Sequence, residues 1–202
     1  VMAHVNALAD RAEAGDWGSI LYFTEKELDK RYVFKFRKET PNDVGSTFIG
    51  KTTVLFQFKP ENTDLFDTAV KAIQSIRFPT KMLEAGFNRF VPKELKVYRD
   101  TDKGPIFSVY KGPDQVSLAD ILEKGVEFEP GHVVWILEGL YNFLLLMHQV
   151  QNKMLGGIDL DSVFINPVFK TVHVLGGWWF AETLGKELTA LPNSILLQLS
   201  NK

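Results

Sequence analysis

The sequence predicts an α+β protein, with an antiparallel sheet and one helix in its first part and a mainly helical second part. Three observations predict it. β-branched and aromatic runs recur between Ser19 and Tyr110, one long apolar stretch of helical character spans Gly131 to Gln151, and the change between the two patterns falls near Gly112. With 45% apolar and 12% aromatic content over 202 residues, the chain can bury a sizeable core, which excludes the disordered and collagen-like classes. The organisation expected is an N-terminal helical segment over 1–18, a sheet-rich lobe over 19–111 and a partial helical lobe over 112–202.

Taken in order, Met2 to Ala14 places Val5, Leu8, Ala9 and Ala12 at helical spacing before Gly15, so a short amphipathic helix is expected there. Strands are expected at Ile20–Phe23, Tyr32–Phe36 and Thr52–Phe58, with Glu25–Lys30 and Arg37–Asp43 as turns or loops. After Pro60, a helix from Asp64 to Arg77 carries Leu65, Phe66, Ala69, Ile73 and Ile76 on one face, with Asn62, Thr63 or Asp64 as its cap. Two strands, Glu94–Tyr98 and Pro105–Tyr110, flank the turn Asp100–Gly104. Ser117 caps a short helix to Lys124. The long helix comes next, then Gly156-Gly157, a strand at Val163–Asn166, and another at Thr171–Leu175. No internal repeat or low-complexity tract interrupts this order.

Charge narrows the function classes. With 23 Lys and Arg against 25 Asp and Glu, no basic footprint for nucleic acid is imposed, so no nucleic-acid partner is expected. The longest apolar run, Val133–Met147, is short for a membrane span and contains Glu138 and Asn142, so no membrane partner is expected either. No charged-then-apolar leader stands at Val1, and the absence of cysteine excludes disulfides and thiolate sites. A cytoplasmic location is the expectation.

One motif argues for an enzyme. Gly45 to Thr52 satisfies the phosphate-loop pattern G-x-x-x-x-G-K-S/T, with Lys51 as its lysine. That chemistry needs a strand before the loop and a helix after it, so that backbone N–H groups and the helix N-terminus converge on the phosphates. The segment after Thr52 is instead the strand-like Thr53–Phe58, so a glycine-bearing β-turn between strands is expected. The four histidines, His4, His132, His148 and His173, lack metal-ligand spacing, and no metal is expected. Asp159 and Asp161 form a close carboxylate pair, for which capping or solvent exposure is favoured over cation binding or base catalysis. Trp178, Trp179 and Phe180 read equally as a stacking or partner-binding patch and as a plug that fills space.

The element order, with Gly-Gly-Ile-Asp-Leu-Asp-Ser-Val-Phe-Ile-Asn directly after a long buried helix, resembles a protein kinase over roughly Ser19 to Pro192. In kinases the loop after that helix reads H-R/G-D-x-x-x-x-N before an apolar strand, and the next strand ends at D-F-G. Anchored on Val163-Phe164-Ile165, the resemblance puts Gly157 at the catalytic Asp, Ser162 at the metal-binding Asn and Gly177 at the metal-binding Asp. It also places Gln57 at the phosphate-pairing lysine, with Lys35 as a competitor, and Lys111–Glu123 at the hinge and the helix after it. Leu65–Ile76 offers no Glu for the Lys–Glu ion pair. The turn Glu25–Lys30 is acidic where a glycine-rich loop would hold phosphate. Thr189–Pro192 echoes the end of an activation segment, after which ten residues remain in the sequence, so either a fragment of a longer protein or a pared-down large lobe is expected.

A narrower resemblance is to kinase-like domains attached to J-domain chaperone proteins in bacteria and phages, whose loops read H-G-A-x-x-P-x-x-V-x-I and D-W-C-Y-S. Leu155-Gly156-Gly157 and Gly177-Trp178-Trp179-Phe180-Ala181 look like a further-decayed version, and Pro130-Gly131, Trp135 and Asn62–Leu65 agree. The resemblance implies a bilobal fold that does no phosphoryl transfer. That reaction is catalysed by positioning and charge neutralisation, which lapse when both metal ligands and the base are lost together. The expectation is a pseudokinase without cofactor that binds another protein or serves as a scaffold. The alternatives are a divergent kinase using Asp159 or Asp161, a phosphate-loop NTPase using Lys51, or a structural component of a viral assembly.

Overall fold

The computed structural model describes residues 19–187. The expected helix over 1–18 and the segment Thr189–Pro192 lie outside the described residues. The fold is mixed α+β, and every strand pair among the described residues is antiparallel. By contact the chain forms two compact units: of the described residues, the first holds 19–66 and 94–113 and the second holds 67–93 and 114–187.

In the first unit, β1 (Ile20–Glu25) and β2 (Lys30–Lys35) make a hairpin, with Asp29 in the turn at a φ of 45°. Five further strands form one sheet in the order β3-β4-β5-β7-β6: β3 (Lys38–Pro41), β4 (Gly45–Ile49), β5 (Thr53–Phe58), β6 (Lys96–Tyr98) and β7 (Ile106–Tyr110). Two sequence expectations are corrected here. Arg37–Asp43 is not all loop, because Lys38–Pro41 pairs with Ser46–Ile49. Gly45–Thr52 is not all turn either: Gly45–Ile49 is a strand, and the turn is confined to Gly50–Thr52. Polar sequences such as Lys38-Glu39-Thr40-Pro41 carry no alternation of their own, and pairing with neighbours makes them strands.

Apolar side chains fill both faces. Phe23, Phe48, Leu55 and Ile106 form one cluster, with Tyr32, Phe34, Phe36 and Tyr98 packed against it. On β5 and β7, Phe58 and Phe107 meet Phe66 with ring centroids 5.4 and 6.2 Å away. Phe66 lies in the first turns of α1 (Thr63–Gln74), which follows a 3₁₀ turn at Pro60–Asn62 and ends at Gln74 rather than Arg77.

The second unit contains a helix that the sequence reading lacks, α2 (Lys81–Phe87), capped where the Thr80 hydroxyl accepts from the Leu83 amide at 3.2 Å. The unit's three-stranded sheet runs β11-β10-β8, with β8 (Val116–Ser117), β10 (Val163–Asn166) and β11 (Thr171–Val174). A second pair joins β9 (Lys153–Leu155) to β12 (Ala181–Thr183). The short helix α3 (Leu118–Glu123) starts where the Ser117 hydroxyl accepts from the Asp120 amide at 3.1 Å. The long helix α4 (Pro130–Leu145) continues into a π-helical turn, Leu146–Val150. Ile136 of α4 packs with Leu118, Val163, Ile165 and Val172, and Trp135 and Leu140 border that cluster.

Among the described residues, one face of α4 carries exposed apolar side chains. Val133, Val134, Leu137, Tyr141 and Leu145 are exposed, Val134 and Tyr141 at 63%. The apolar run stops at Met147, whereas the helical segment containing it, Pro130–Val150, has 21 residues and is long and apolar enough to cross a membrane by length and composition alone.

Candidate functional site

The residues matched to the kinase catalytic and metal positions sit on two loops of the second unit. The first loop runs from the end of β9 to the start of β10. Within it Asp159 closes a turn, its carboxylate accepting from the Ser162 amide at 2.8 Å while its carbonyl accepts the same amide at 3.2 Å. The exposed Asp159 therefore acts as a local cap. Asp161, two residues on, is also exposed.

The second loop runs from the end of β11 through a 3₁₀ turn at Trp178–Phe180 into β12. Three backbone bonds hold the loops together: the Leu175 and Gly176 amides both donate to the Ser162 carbonyl, at 2.9 and 3.3 Å, and the Gly156 amide donates to Phe180 O at 3.1 Å. Within the first loop, the Ser162 hydroxyl donates to Gly157 O at 3.3 Å.

Gly157, Ser162 and Gly177 thus come together although twenty residues of chain separate the first from the last. The way they meet leaves no room for larger side chains. A Cβ at Gly177 would run into the carbonyl of Gly157, and one at Gly157 would run into the Phe180 ring. Gly177 also holds a φ of 78°, in the left-handed region that disfavours a side chain. At the two positions that the kinase resemblance matches to carboxylates, two backbones are in contact.

All three aromatic residues after Gly177 are buried, at 0%, 6% and 7% exposure for Trp178, Trp179 and Phe180. The Trp178 indole donates to Val174 O at 3.0 Å and its ring meets Phe143 edge-on at 6.1 Å. Of the two readings, burial agrees with filling space, since buried rings present no surface patch.

Gln57 lies on β5 in the first unit, and its side-chain amide donates to Lys103 O at 2.7 Å, tying the β6–β7 turn to the sheet. Lys35 is at the exposed end of β2. In the phosphate-loop match, the Gly45 amide donates to the Asn42 carboxamide oxygen at 2.8 Å, as the Val44 amide just before the match does at 2.9 Å, and the Gly50 amide donates to Thr53 O at 2.8 Å. A strand follows Lys51. Gly45 is where the backbones come closest, because a Cβ there would strike the Gln57 carbonyl. These amides are spent inside the sheet and do not converge on a phosphate.

Two of the described histidines have local roles. His132 Nδ1 accepts from the Glu129 amide at 3.2 Å, at the head of α4. His173 Nδ1 lies 2.6 Å from Arg89 O and its Nε2 lies 2.9 Å from the Thr171 hydroxyl. A carbonyl only accepts, so Nδ1 carries the proton and Nε2 accepts, which is the neutral ring. Burial is the first cause that lowers the His173 pKa, opposed by the bond to Arg89 O and reinforced by the charges of Lys93 and Arg89. Among the described residues, no three His, Asp or Glu side chains cluster in a way that could hold a metal ion.

Sequence reasoning missed the jobs of Gln57 and His173, whose partners are remote in sequence, the second by 84 residues. The Asn166 turn was legible as Asn-Pro: its side chain accepts from the Val168 and Phe169 amides at 3.0 and 3.1 Å. No protein-family description matches the chain, and no curated protein matches it.

Proposed function

We propose that this chain is a catalytically inactive, bilobal kinase-like domain that works as a protein-binding or scaffold module, of the kind attached to bacterial or phage J-domain chaperones and acting in the cytoplasm. One observation carries the reading: the backbones of Gly157 and Gly177, the two positions that the kinase resemblance matches to carboxylates, meet with no room for a side chain. Phosphoryl transfer is almost wholly positioning and charge neutralisation by metal ions and cationic groups. Hard divalent cations require oxygen ligands, usually one or two carboxylates beside the phosphates. The first loop carries two carboxylates, Asp159, which caps its own turn, and Asp161.

The binding half of the proposal draws on α4. A row of large apolar side chains spaced along one helix face, from Val133 through Leu137 and Tyr141 to Leu145, is the kind of surface another protein covers. The NTPase alternative through Lys51 loses support because a strand follows Lys51 and the Gly45 and Gly50 amides are already bonded within the chain.

Calorimetric titration with millimolar ATP, with and without magnesium, tests the proposal. No saturable heat is expected in either condition. Saturable binding that strengthens with magnesium and weakens in Asp159→Asn or Asp161→Asn would establish relocated carboxylates and overturn the inactive reading.

A further inference from the structure

Within the second unit, the described chain stops at Glu187, close to the end of α4 whose outer face carries exposed apolar side chains. We propose that the apolar run at 195–199 docks reversibly on that face, along Val133, Leu137, Tyr141 and Leu145, so that the chain masks the face itself.

Both surfaces have apolar area to cover. Residues 188–202 lie outside the described residues, and in their sequence Ile195, Leu196, Leu197 and Leu199 put four large aliphatic side chains into five positions without a charge. On α4, Val133, Leu137, Tyr141 and Leu145 recur every four residues and are all exposed, and Glu138 is the single charged residue between the first and the last of them. Apolar groups gain by leaving water in proportion to the area covered, so two such surfaces within reach of each other are driven together.

The path of the chain brings them within reach. β12 runs antiparallel to β9, with Ala181 opposite Leu155 and Thr183 opposite Lys153, so it carries the chain back toward the segment that leaves α4. The Leu184 amide then donates to Asn152 O at 3.0 Å, two residues past the π-helical turn that ends at Val150. The face runs from Leu145 back to Val133, twelve residues or about 18 Å of helix. Eight residues take the chain from Glu187 to Ile195, and fully extended they span up to about 26 Å. The apolar run therefore reaches the Leu145 end of the face and can extend along it.

Tethering decides the occupant. A segment on a short linker acts at an effective concentration in the millimolar range, which a second copy or a separate peptide has to match in solution. Ordering the backbone of the docked residues costs about as much as burying four aliphatic side chains gains. The contact is therefore an equilibrium between a covered and an open face, and it adds little to thermal stability. Only its consequence, that the segment competes with a protein partner for one face, rests on the binding role proposed above.

The chain has no cysteine, so Gln198→Cys gives a single attachment point for a nitroxide spin label. In the full ¹⁵N-labelled chain, the amide intensities of Leu137, Tyr141 and Leu145 are compared between the oxidised and the reduced label, with Met82 and Phe169, which are exposed on other elements, as controls. Selective loss of intensity at the α4 residues, unchanged on dilution, is expected. Replacing the run by serine, as Ile195→Ser, Leu196→Ser, Leu197→Ser and Leu199→Ser together, should restore those intensities and leave the rest of the amide spectrum as it was. A loss no greater than at the controls, or one that survives the serine replacements, overturns the proposal. A loss that also appears when spin-labelled ¹⁴N chain is mixed with unlabelled ¹⁵N chain, and that fades on dilution, assigns the face to a second copy and overturns it too. The measurement needs no partner, so its failure is separate from a failure of the protein-binding reading.

Discussion

The carbonyl oxygen of Gly157 occupies the space that a Cβ at Gly177 would need. That contact leaves no room for a side chain at Gly177, as the Phe180 ring leaves none at Gly157, so placing there the carboxylates that the kinase resemblance calls for is a structural problem before it is a chemical one. Gly177→Asp must adopt a φ of 78° with a side chain, at about 1–2 kcal/mol, before the clash with Gly157 is counted. Chemical denaturation should therefore show Gly177→Asp destabilised by at least about 1 kcal/mol, and Gly157→Asp likewise. Neither variant should gain magnesium-ATP binding. An unchanged midpoint for Gly177→Asp would show that the loop has room.

Gln57 provides a second test, since it stands where the resemblance puts a phosphate-pairing lysine. Its bond to Lys103 O is a single one to an exposed turn, of the class that contributes about 0.5–1.5 kcal/mol. Gln57→Ala should lose about that much in urea unfolding, and Gln57→Lys should confer no ATP affinity in the calorimeter. A gain of affinity in Gln57→Lys would point to a latent nucleotide site.

The two glycine-loop residues should behave oppositely. Lys51 is exposed in the turn between β4 and β5, so Lys51→Ala should change stability by less than about 0.5 kcal/mol and leave any ATP response as it was. Gly45→Ala forces a Cβ into the Gln57 carbonyl across the ladder and should cost about 1–3 kcal/mol, as overpacking does. Thermal melts of both variants decide this, and a clear loss of ATP binding in Lys51→Ala would revive the NTPase reading.

His173 gives a pH dependence of known sign. Its folded pKa lies below the ordinary value of 6.5, through burial first and the Lys93 and Arg89 charges after it, so the unfolded chain binds the proton more readily. Stability rises with pH wherever the unfolded state holds more protons. The contribution of His173 is present above pH 6.5 and is lost as pH falls from there through the folded pKa. Urea midpoints measured between pH 8 and 5 should fall with acidification, and His173→Gln should flatten the part of that slope nearest pH 6.5.

On α4, Leu137 and Tyr141 are 58% and 63% exposed. Leu137→Glu and Tyr141→Glu should shift stability by less than about 0.5 kcal/mol, because little packing is lost. Retention on a hydrophobic column should drop in the same variants. A large drop in melting temperature would mean that this face is covered within the chain.

Much of the second unit was legible because its signals are local. Val163-Phe164-Ile165-Asn166 is a β-branched and aromatic run closed by an Asn-Pro turn, and Ser117 three residues ahead of Asp120 marks a helix start; both stand where the sequence put them. Thr80 before Lys81–Phe87 was an equally local cap signal that the sequence reading passed over. Strand β3, by contrast, was not available to inspection, since Lys38-Glu39-Thr40-Pro41 becomes a strand by pairing with Ser46–Ile49.

The α+β class, the antiparallel pairing and the presence of glycine at 157 and 177 were settled by sequence, because composition, periodicity and residue identity are properties of short segments. What those residues touch was settled by the tertiary fold. That Gly157 and Gly177 touch, that Gln57 reaches Lys103, and that His173 holds the Arg89 segment all depend on which distant strands lie side by side. Hydrogen bonds and close packing act over a few ångströms, and only the folded chain brings residues so far apart in sequence within that range.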